Sequence, residues 1–362
     1  MKATQKLHDL GQSLWLDQIT RELLTSGTLK RYIDEFSVSG LTSNPTIFDA
    51  AIEKSASYDD AIRAGAGQGK SNETVFFELA LDDLTRAADL FRPIHEATGG
   101  VDGWVSLEVS PLLAADTANT ISAARDLFAR GGRPNLFIKI PGTPEGIPAI
   151  EEAIYWGVPI NVTLLFSRKQ YLAAAGAYMR GIERRLAEGL DPAVGSVASL
   201  FISRWDVATK DQVPPALANR LGIAVGMQCY AAYRDVLASP RWQKLAASGA
   251  RPQRLLLAST GTKDPALPDT WYVEALAAPD TIDTIPEKTL LAYADHGSVG
   301  DSLRNDGGNA ETLLAEFRRA GVDDDALAAR LQQEGTAAFV KSWNELMHRI
   351  AEKTELLGAH PA

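Results

Sequence analysis

The sequence predicts an α/β protein built as a closed parallel (β/α)8 barrel, and three observations carry that prediction. Short apolar, β-branched stretches alternate with longer helical patterns along most of the 362 residues, eight times over. The ends of those stretches mostly recur at spacings near the roughly 30 residues that a minimal strand–helix unit needs. Seven of the eight stretches also carry a polar residue at or near their ends, as expected where parallel strands converge on one open mouth. An open doubly wound sheet competes with the barrel, but no GxGxxG fingerprint follows the first strand.

In chain order the strands are Ser13–Leu16, Val38–Leu41, Trp104–Val109, Leu136–Ile140, Ile160–Leu165, Ser196–Phe201, Arg254–Ala258 and, most weakly patterned, Thr281–Ile285. The helical patterns that follow are Thr20–Glu35, Ile47–Ala56, Ala115–Arg130, Glu145–Trp156, Arg168–Ala187, Pro214–Leu237, Trp271–Ala277 and Glu287–Ala294. The Gly131–Gly132 pair stops a helix before the fourth strand. The second and sixth spacings are about twice a minimal unit, so those units carry helical insertions. The first insertion is read at Asn72–Ala97, where Val75, Leu79 and Leu84 fall near helical spacing, and the second at Trp205–Pro215 with the helix after it. Patterns at Thr312–Arg319, Asp325–Gln333 and Ala337–Leu357 predict a helical C-terminal extension, 297–362, packed outside the barrel. No low-complexity linker interrupts the chain, so 1–362 reads as a single domain.

Composition narrows the function. With 45 % hydrophobic and 23 % charged residues the chain is that of an ordinary soluble protein. A net charge of −10 argues against an extended nucleic-acid surface but leaves room for a small anion held by one or two cations. The single cysteine, Cys229, and the scattered histidines argue against a Cys/His metal site, and no metal is expected. The first eight residues lack a secretory pattern and no run of 18 apolar residues occurs, so no membrane partner and a cytoplasmic location are expected. A homodimer is the expectation from the frequency of two-fold pairs.

The polar strand ends are Asp17, Thr42 with Asn44, Glu108, Lys139, Asn161 with Thr163, Ser199 and Ser259. Any one serine, threonine or asparagine there is more simply a helix cap. Lys139 fits that explanation poorly. It sits inside LFIKIP, and strand alternation turns it away from Ile138 and Ile140, toward the barrel interior. A desolvated amine near a strand's C-terminal end is a candidate Schiff-base nucleophile. On the residues alone, an ion pair with Glu108 or Asp17 explains it equally well. Schiff-base chemistry needs proton carriers, and Asp17 and Glu108 end strands on the same mouth, with the division of labour between them open. Arg204 follows strand six, and Ser259 and Lys263 follow strand seven, the sector where barrels often hold phosphate. A surface ion pair for Arg204 and a solvated loop for Lys263 are the plainer alternatives.

Six ordered segments then carry a family resemblance: GLTSNPTIF (40–48), VSLEV (105–109), LFIKIPGTPEGIPAI (136–150), INVTLLFS (160–167), VASLFISRWD (197–206) and STGTKDP (259–265). From about residue 10 to about 295 the chain resembles the transaldolase family, in its longer bacterial branch. The resemblance implies a TIM barrel that transfers a dihydroxyacetone unit between sugar phosphates through a lysine imine, in the non-oxidative pentose phosphate pathway, with no cofactor. Position by position, Lys139 matches the imine-forming lysine and Asp17 the acid/base at the substrate C4 hydroxyl. Glu108 and Thr163 match the pair that positions the catalytic water, and Asn44 and Asn161 match the amides on the dihydroxyacetone hydroxyls, with Thr42 and Ser199 nearby. Arg204 and Ser259 match phosphate ligands. One departure stands out: other branches carry an arginine two residues after that serine, where this chain has Gly261, with Lys263 as the available substitute. A free fructose-6-phosphate aldolase is the alternative activity, but those relatives are shorter and carry Gln and Tyr in place of Glu108 and Phe201. A catalytically silent sugar-phosphate-binding protein is the third reading.

Overall fold

The computed structural model describes residues 1–358. Eight parallel strands close on themselves in chain order: β1 Ser13–Asp17, β2 Val38–Thr42, β3 Val105–Glu108, β4 Leu136–Pro141, β5 Ile160–Leu165, β6 Ser196–Phe201, β7 Gln253–Ala258 and β8 Ile282–Ile285. The closing pair is β1 with β8, from Ser13 opposite Ile282 to Leu16 opposite Ile285. This is the expected (β/α)8 barrel, and its strand boundaries fall within one or two residues of those read from the apolar runs. Among the described residues no helix is long and apolar enough to cross a membrane.

Side chains alternate along each strand, so residues two apart share the interior. At the amino-terminal end that interior is aromatic. Trp15 of β1 meets Phe137 of β4 across the barrel with ring centres 6.2 Å apart, and Phe137 stacks on Trp104 at 4.0 Å. Gly40 on β2 makes room for this plug, because a Cβ there would lie 2.5 Å from the Trp15 indole. One layer up, the same alternation places Asp17 above Trp15 and Lys139 above Phe137. The barrel is thus a packed hydrocarbon floor beneath a polar mouth, which separates stability from chemistry.

Several helices differ from the sequence expectation. Asn72–Ala97 is not the insertion: it packs along β2, β3 and β4 as the barrel-layer helix of the second unit, and the added material is Pro45–Gly67 before it. The apolar stripe of Asn72–Ala97 is what any layer helix needs, so its pattern could not tell the two apart. The pattern Thr20–Glu35 divides into Arg21–Thr25 and Thr28–Phe36, because Gly27 takes a left-handed φ of 78°. Helices at Ala3–Leu10 and Pro240–Ala247 were not anticipated.

The C-terminal extension departs most. Where two helices were expected, one helix runs from Asp324 to Gly358, and residues 359–362 of the expected extension lie outside the described residues. Gly335, which reads as a break, is buried mid-helix where the chain passes close to Leu164 and Arg204. A helical glycine costs only about 1 kcal/mol, which close packing offsets. Nor does this helix lie merely outside the barrel. Gln332 donates to the carbonyls of Gly142 (2.9 Å), just past β4, and Leu164 (3.0 Å), near the end of β5. Further along, Trp343 packs against Phe76 and Phe77 at ring-centre distances of 5.2 and 5.6 Å. The helix therefore crosses the mouth.

Candidate active site

The carboxyl ends of the strands surround a cavity of about 310 Å³. Nine of the eleven residues singled out from the sequence line it: Asp17, Thr42, Asn44, Lys139, Thr163, Ser199, Arg204, Ser259 and Lys263. The other two, Glu108 and Asn161, are buried directly behind that wall. Register explains the arrangement. Glu108 on β3 stands opposite Lys139 on β4, and Lys139 opposite Asn161 on β5, so three polar residues form one tier across three strands.

Lys139 is 7 % exposed at its side chain and Glu108 4 %. The lysine Nζ lies 3.5 Å from Glu108 Oε2 and donates to the Ser43 carbonyl at 3.1 Å. Neither oxygen of Glu108 accepts a hydrogen bond among the described residues, and the Thr163 hydroxyl also lacks a partner. Buried polar atoms rarely go unpaired except where a ligand or water completes them. Burial pushes the Glu108 carboxyl up to about 6, against the pull of Lys139, with Asp17 adding to the rise. A carboxyl titrating there can give or take a proton near neutrality.

Asp17 is held from one side. Thr42 Oγ1 donates to Asp17 Oδ1 at 2.8 Å and lies 2.6 Å from the Thr284 hydroxyl. Burial raises the Asp17 carboxyl above its ordinary value, opposed first by the Lys139 charge, then by the Thr42 hydrogen bond and Lys263. Asn161 joins the tier to its neighbours: its Nδ2 donates to Ser106 Oγ at 3.1 Å and its Oδ1 accepts from Ser199 Oγ at 2.7 Å. Asn44 combines two roles, since its Oδ1 caps the following helix through the Ile47 amide (3.1 Å) while the residue lines the cavity. The cap and the site residue are thus the same side chain.

At the far wall stand Arg204, Ser259 and Lys263. Ser259 adopts a left-handed φ of 58°, a conformation uncommon for a residue with a Cβ, and its hydroxyl lies 2.9 Å from that of Ser203. Burial lowers the Arg204 guanidinium from its ordinary value, opposed by Glu334, and Lys263 is exposed on its loop. Gly261, beside Pro286, brings no charge of its own, so Lys263 is the second cation of this wall.

Four contributors escaped the sequence reading. Thr284 and Phe339 line the cavity, Ser43 supplies the carbonyl that receives Lys139, and Asp283 works from behind. Asp283 is fully buried and accepts from Thr260 Oγ1 at 2.6 Å, fixing the loop between Ser259 and Lys263, while its second oxygen has no partner. Burial pushes its carboxyl up to about 7, with the Thr260 bond opposing. Such a group contributes stability in full below the unfolded-state value of 3.8, and that contribution is lost as pH rises through about 7. Asp283→Asn is therefore expected to gain stability relative to wild type by about 2–4 kcal/mol between pH 4 and pH 8. Melting curves of both proteins across that range check it; a Tm difference independent of pH would show that Asp283 titrates normally.

A larger hollow of about 590 Å³ lies at the opposite end of the barrel, lined in part by Asp102, Trp242 and Arg254. Its charges are committed to one another and to the fold. Arg254 donates to Ser13 Oγ (2.8 Å), the Thr281 carbonyl (2.8 Å) and the Val101 carbonyl (3.1 Å). Asp102 accepts from Trp15 (2.7 Å), Ser39 (2.8 Å) and Ser13. That network ties the bottom of the barrel together.

Fold and site together define a class: a (β/α)8-barrel enzyme with a buried lysine between two carboxylates and cations at one wall of its mouth. Residues 14–350 match the family model described as Transaldolase/Fructose-6-phosphate aldolase. Transaldolase of Thermobifida fusca is 45 % identical, covering 98 % of each chain, and that of Saccharopolyspora erythraea is 44 % identical over 97 % of each. Transaldolase 2 of Nostoc punctiforme is 41 % identical, again over 97 % of each chain. The chain belongs to the transaldolase/fructose-6-phosphate aldolase family, and its activity is that of a transaldolase, a transferase.

Proposed function

We propose that this enzyme moves a dihydroxyacetone unit from sedoheptulose 7-phosphate to glyceraldehyde 3-phosphate, reversibly giving erythrose 4-phosphate and fructose 6-phosphate. The observation that carries this reading is Lys139: a buried amine at a polar cavity, with Asp17 and Glu108 beside it and Arg204 and Lys263 across the space. The Lys139 nitrogen attacks the C2 carbonyl of the ketose phosphate, and the carbinolamine loses water to become an imine. Glu108, titrating near 6, and the unpartnered Thr163 hydroxyl are suited to hold that water and relay its proton. Asp17 takes the proton of the C4 hydroxyl, the C3–C4 bond breaks, and the aldose phosphate leaves. The enamine kept on Lys139 then attacks the acceptor aldehyde at C1 of glyceraldehyde 3-phosphate, Asp17 returns the proton, and hydrolysis frees the lysine. Asn44, Asn161 and Ser199 supply amide and hydroxyl partners for the dihydroxyacetone hydroxyls, and Arg204, Ser259 and Lys263 the phosphate contacts. Borohydride reduction with fructose 6-phosphate, followed by peptide mapping, tests the assignment: the adduct is expected on Lys139, and an adduct on another lysine, or none, overturns it.

The phosphate wall yields a second expectation. Charge-assisted hydrogen bonds contribute about 1.5–3 kcal/mol each, so Arg204→Ala is expected to raise KM for fructose 6-phosphate about ten- to a hundredfold. Lys263→Ala is expected to act in the same direction but more weakly, because an exposed lysine presents a point charge and not a planar fork. Steady-state kinetics with phosphorylated and unphosphorylated fructose separate binding from support of the fold. Equal losses on both substrates would remove the phosphate role from these residues.

A further inference from the structure

Arg204 is distinguished by what surrounds it. Among the described residues its guanidinium makes no hydrogen bond and no ion pair, and its acidic neighbour Glu334 is 3.5 Å from Arg330. Two aromatic rings flank it: the guanidinium carbon lies 5.1 Å from the ring centre of Phe201 and 6.0 Å from that of Phe339. Phe201 ends β6, three residues before the arginine, but Phe339 arrives from the C-terminal helix. That helix is pinned on both sides of Phe339, by Gln332 on the Gly142 and Leu164 carbonyls and by Trp343 on Phe76 and Phe77. Gly335, one turn before Phe339, permits the approach, since a Cβ there would lie 3.2 Å from Arg204 Nη1 and 2.9 Å from Leu164. Phe339 is buried and still reaches the cavity wall.

We propose that Phe339 is a positioning residue for the phosphate-binding arginine, which makes the C-terminal helix part of the sugar-phosphate site; the inference rests on the phosphate role of Arg204 proposed above. The physical reason lies in the shape of the guanidinium. Aromatic rings attract it by its face, through the ring quadrupole, and leave the N–H donors at its edge free. A carboxylate would hold the side chain equally still but would occupy the fork that phosphate needs. Two aromatic neighbours with no acidic ligand therefore orient the arginine while keeping its donors available.

The test is a double-mutant cycle read as KM for fructose 6-phosphate and as the inhibition constant of inorganic phosphate. Phe339→Leu is expected to raise both about three- to tenfold, with kcat moving less than KM. Phe339→Tyr, which keeps the ring face, is expected to stay near wild type. In the Arg204→Ala background, Phe339→Leu is expected to add less than about twofold. Phe339→Met repeats the measurement should the leucine variant fold poorly. An unchanged KM in Phe339→Leu, or an equal rise with and without Arg204, overturns the inference, because Phe339 then acts on the sugar or the fold and not through the arginine. If Arg204→Ala itself leaves KM and phosphate inhibition unchanged, it is the phosphate reading that fails.

Discussion

Lys139→Ala is expected to abolish transfer, by about 10⁴-fold or more, while leaving the barrel folded. The two halves of that expectation have separate causes. Among the described residues no other amine shares the floor of the cavity: Lys263 is across the mouth on an exposed loop, and Arg204 carries a guanidinium, which stays protonated in proteins. Without a primary amine the C2 carbonyl has no covalent path. Removing one member of a buried ion pair usually costs about 3–5 kcal/mol, because the remaining charge is stranded. Here the stranded group is Glu108, whose carboxyl burial has already pushed up to about 6 even with the lysine beside it. Without Lys139 its ionised form is disfavoured further, so Glu108 takes up a proton near neutral pH at a cost on the order of 1 kcal/mol. The aromatic floor of Trp15, Trp104 and Phe137 lies a layer below and is untouched. Circular dichroism and activity on the same sample check both halves. Activity lost together with a native spectrum supports the nucleophile, whereas an unfolded spectrum would make Lys139 a structural ion pair.

What the sequence disclosed, and what it withheld, follows from how far each signal reaches along the chain. A parallel strand buried on both faces is a short apolar run, and a polar residue at its end is conspicuous, so Asp17, Glu108, Lys139, Thr163 and Ser199 could be read one strand at a time. Thr284 belongs to the same series but sits in IDTI, the most weakly patterned of the strands, where nothing local marks it. Asp283 beside it faces away from the mouth and acts through Thr260, a relation that exists only once β7 and β8 are paired. Phe339 carried no local signal at all. On its own helix it is one more apolar residue in a stripe with Leu331, Trp343 and Leu346, and its neighbour Arg204 is distant in sequence. The misread insertion has a similar origin, since Asn72–Ala97 and a true added helix both need one apolar face.

Asp17→Asn is expected to separate imine formation from carbon–carbon cleavage, slowing cleavage by about 10²–10⁴-fold. The substitution preserves shape: asparagine keeps an oxygen at the position that accepts from Thr42 at 2.8 Å, so the Thr42–Thr284 pair retains its anchor. It removes the basic oxygen and puts an N–H donor in its place. An amide cannot accept the C4 hydroxyl proton, and the C3–C4 bond cannot break without that transfer. Imine formation is spared because Lys139 keeps its amine at the cavity and Glu108, held up to about 6 by burial, remains to serve the water step. Burial already works against the ionised form of Asp17, so the neutral amide is not expected to lower Tm. Borohydride trapping with fructose 6-phosphate is therefore expected to label Lys139 in Asp17→Asn as in wild type, while rapid-quench measurement shows slow release of glyceraldehyde 3-phosphate. Normal release would take Asp17 out of the proton transfer. Loss of the trapped adduct would move its role back to the imine, and Glu108 would then have to carry the proton at C4.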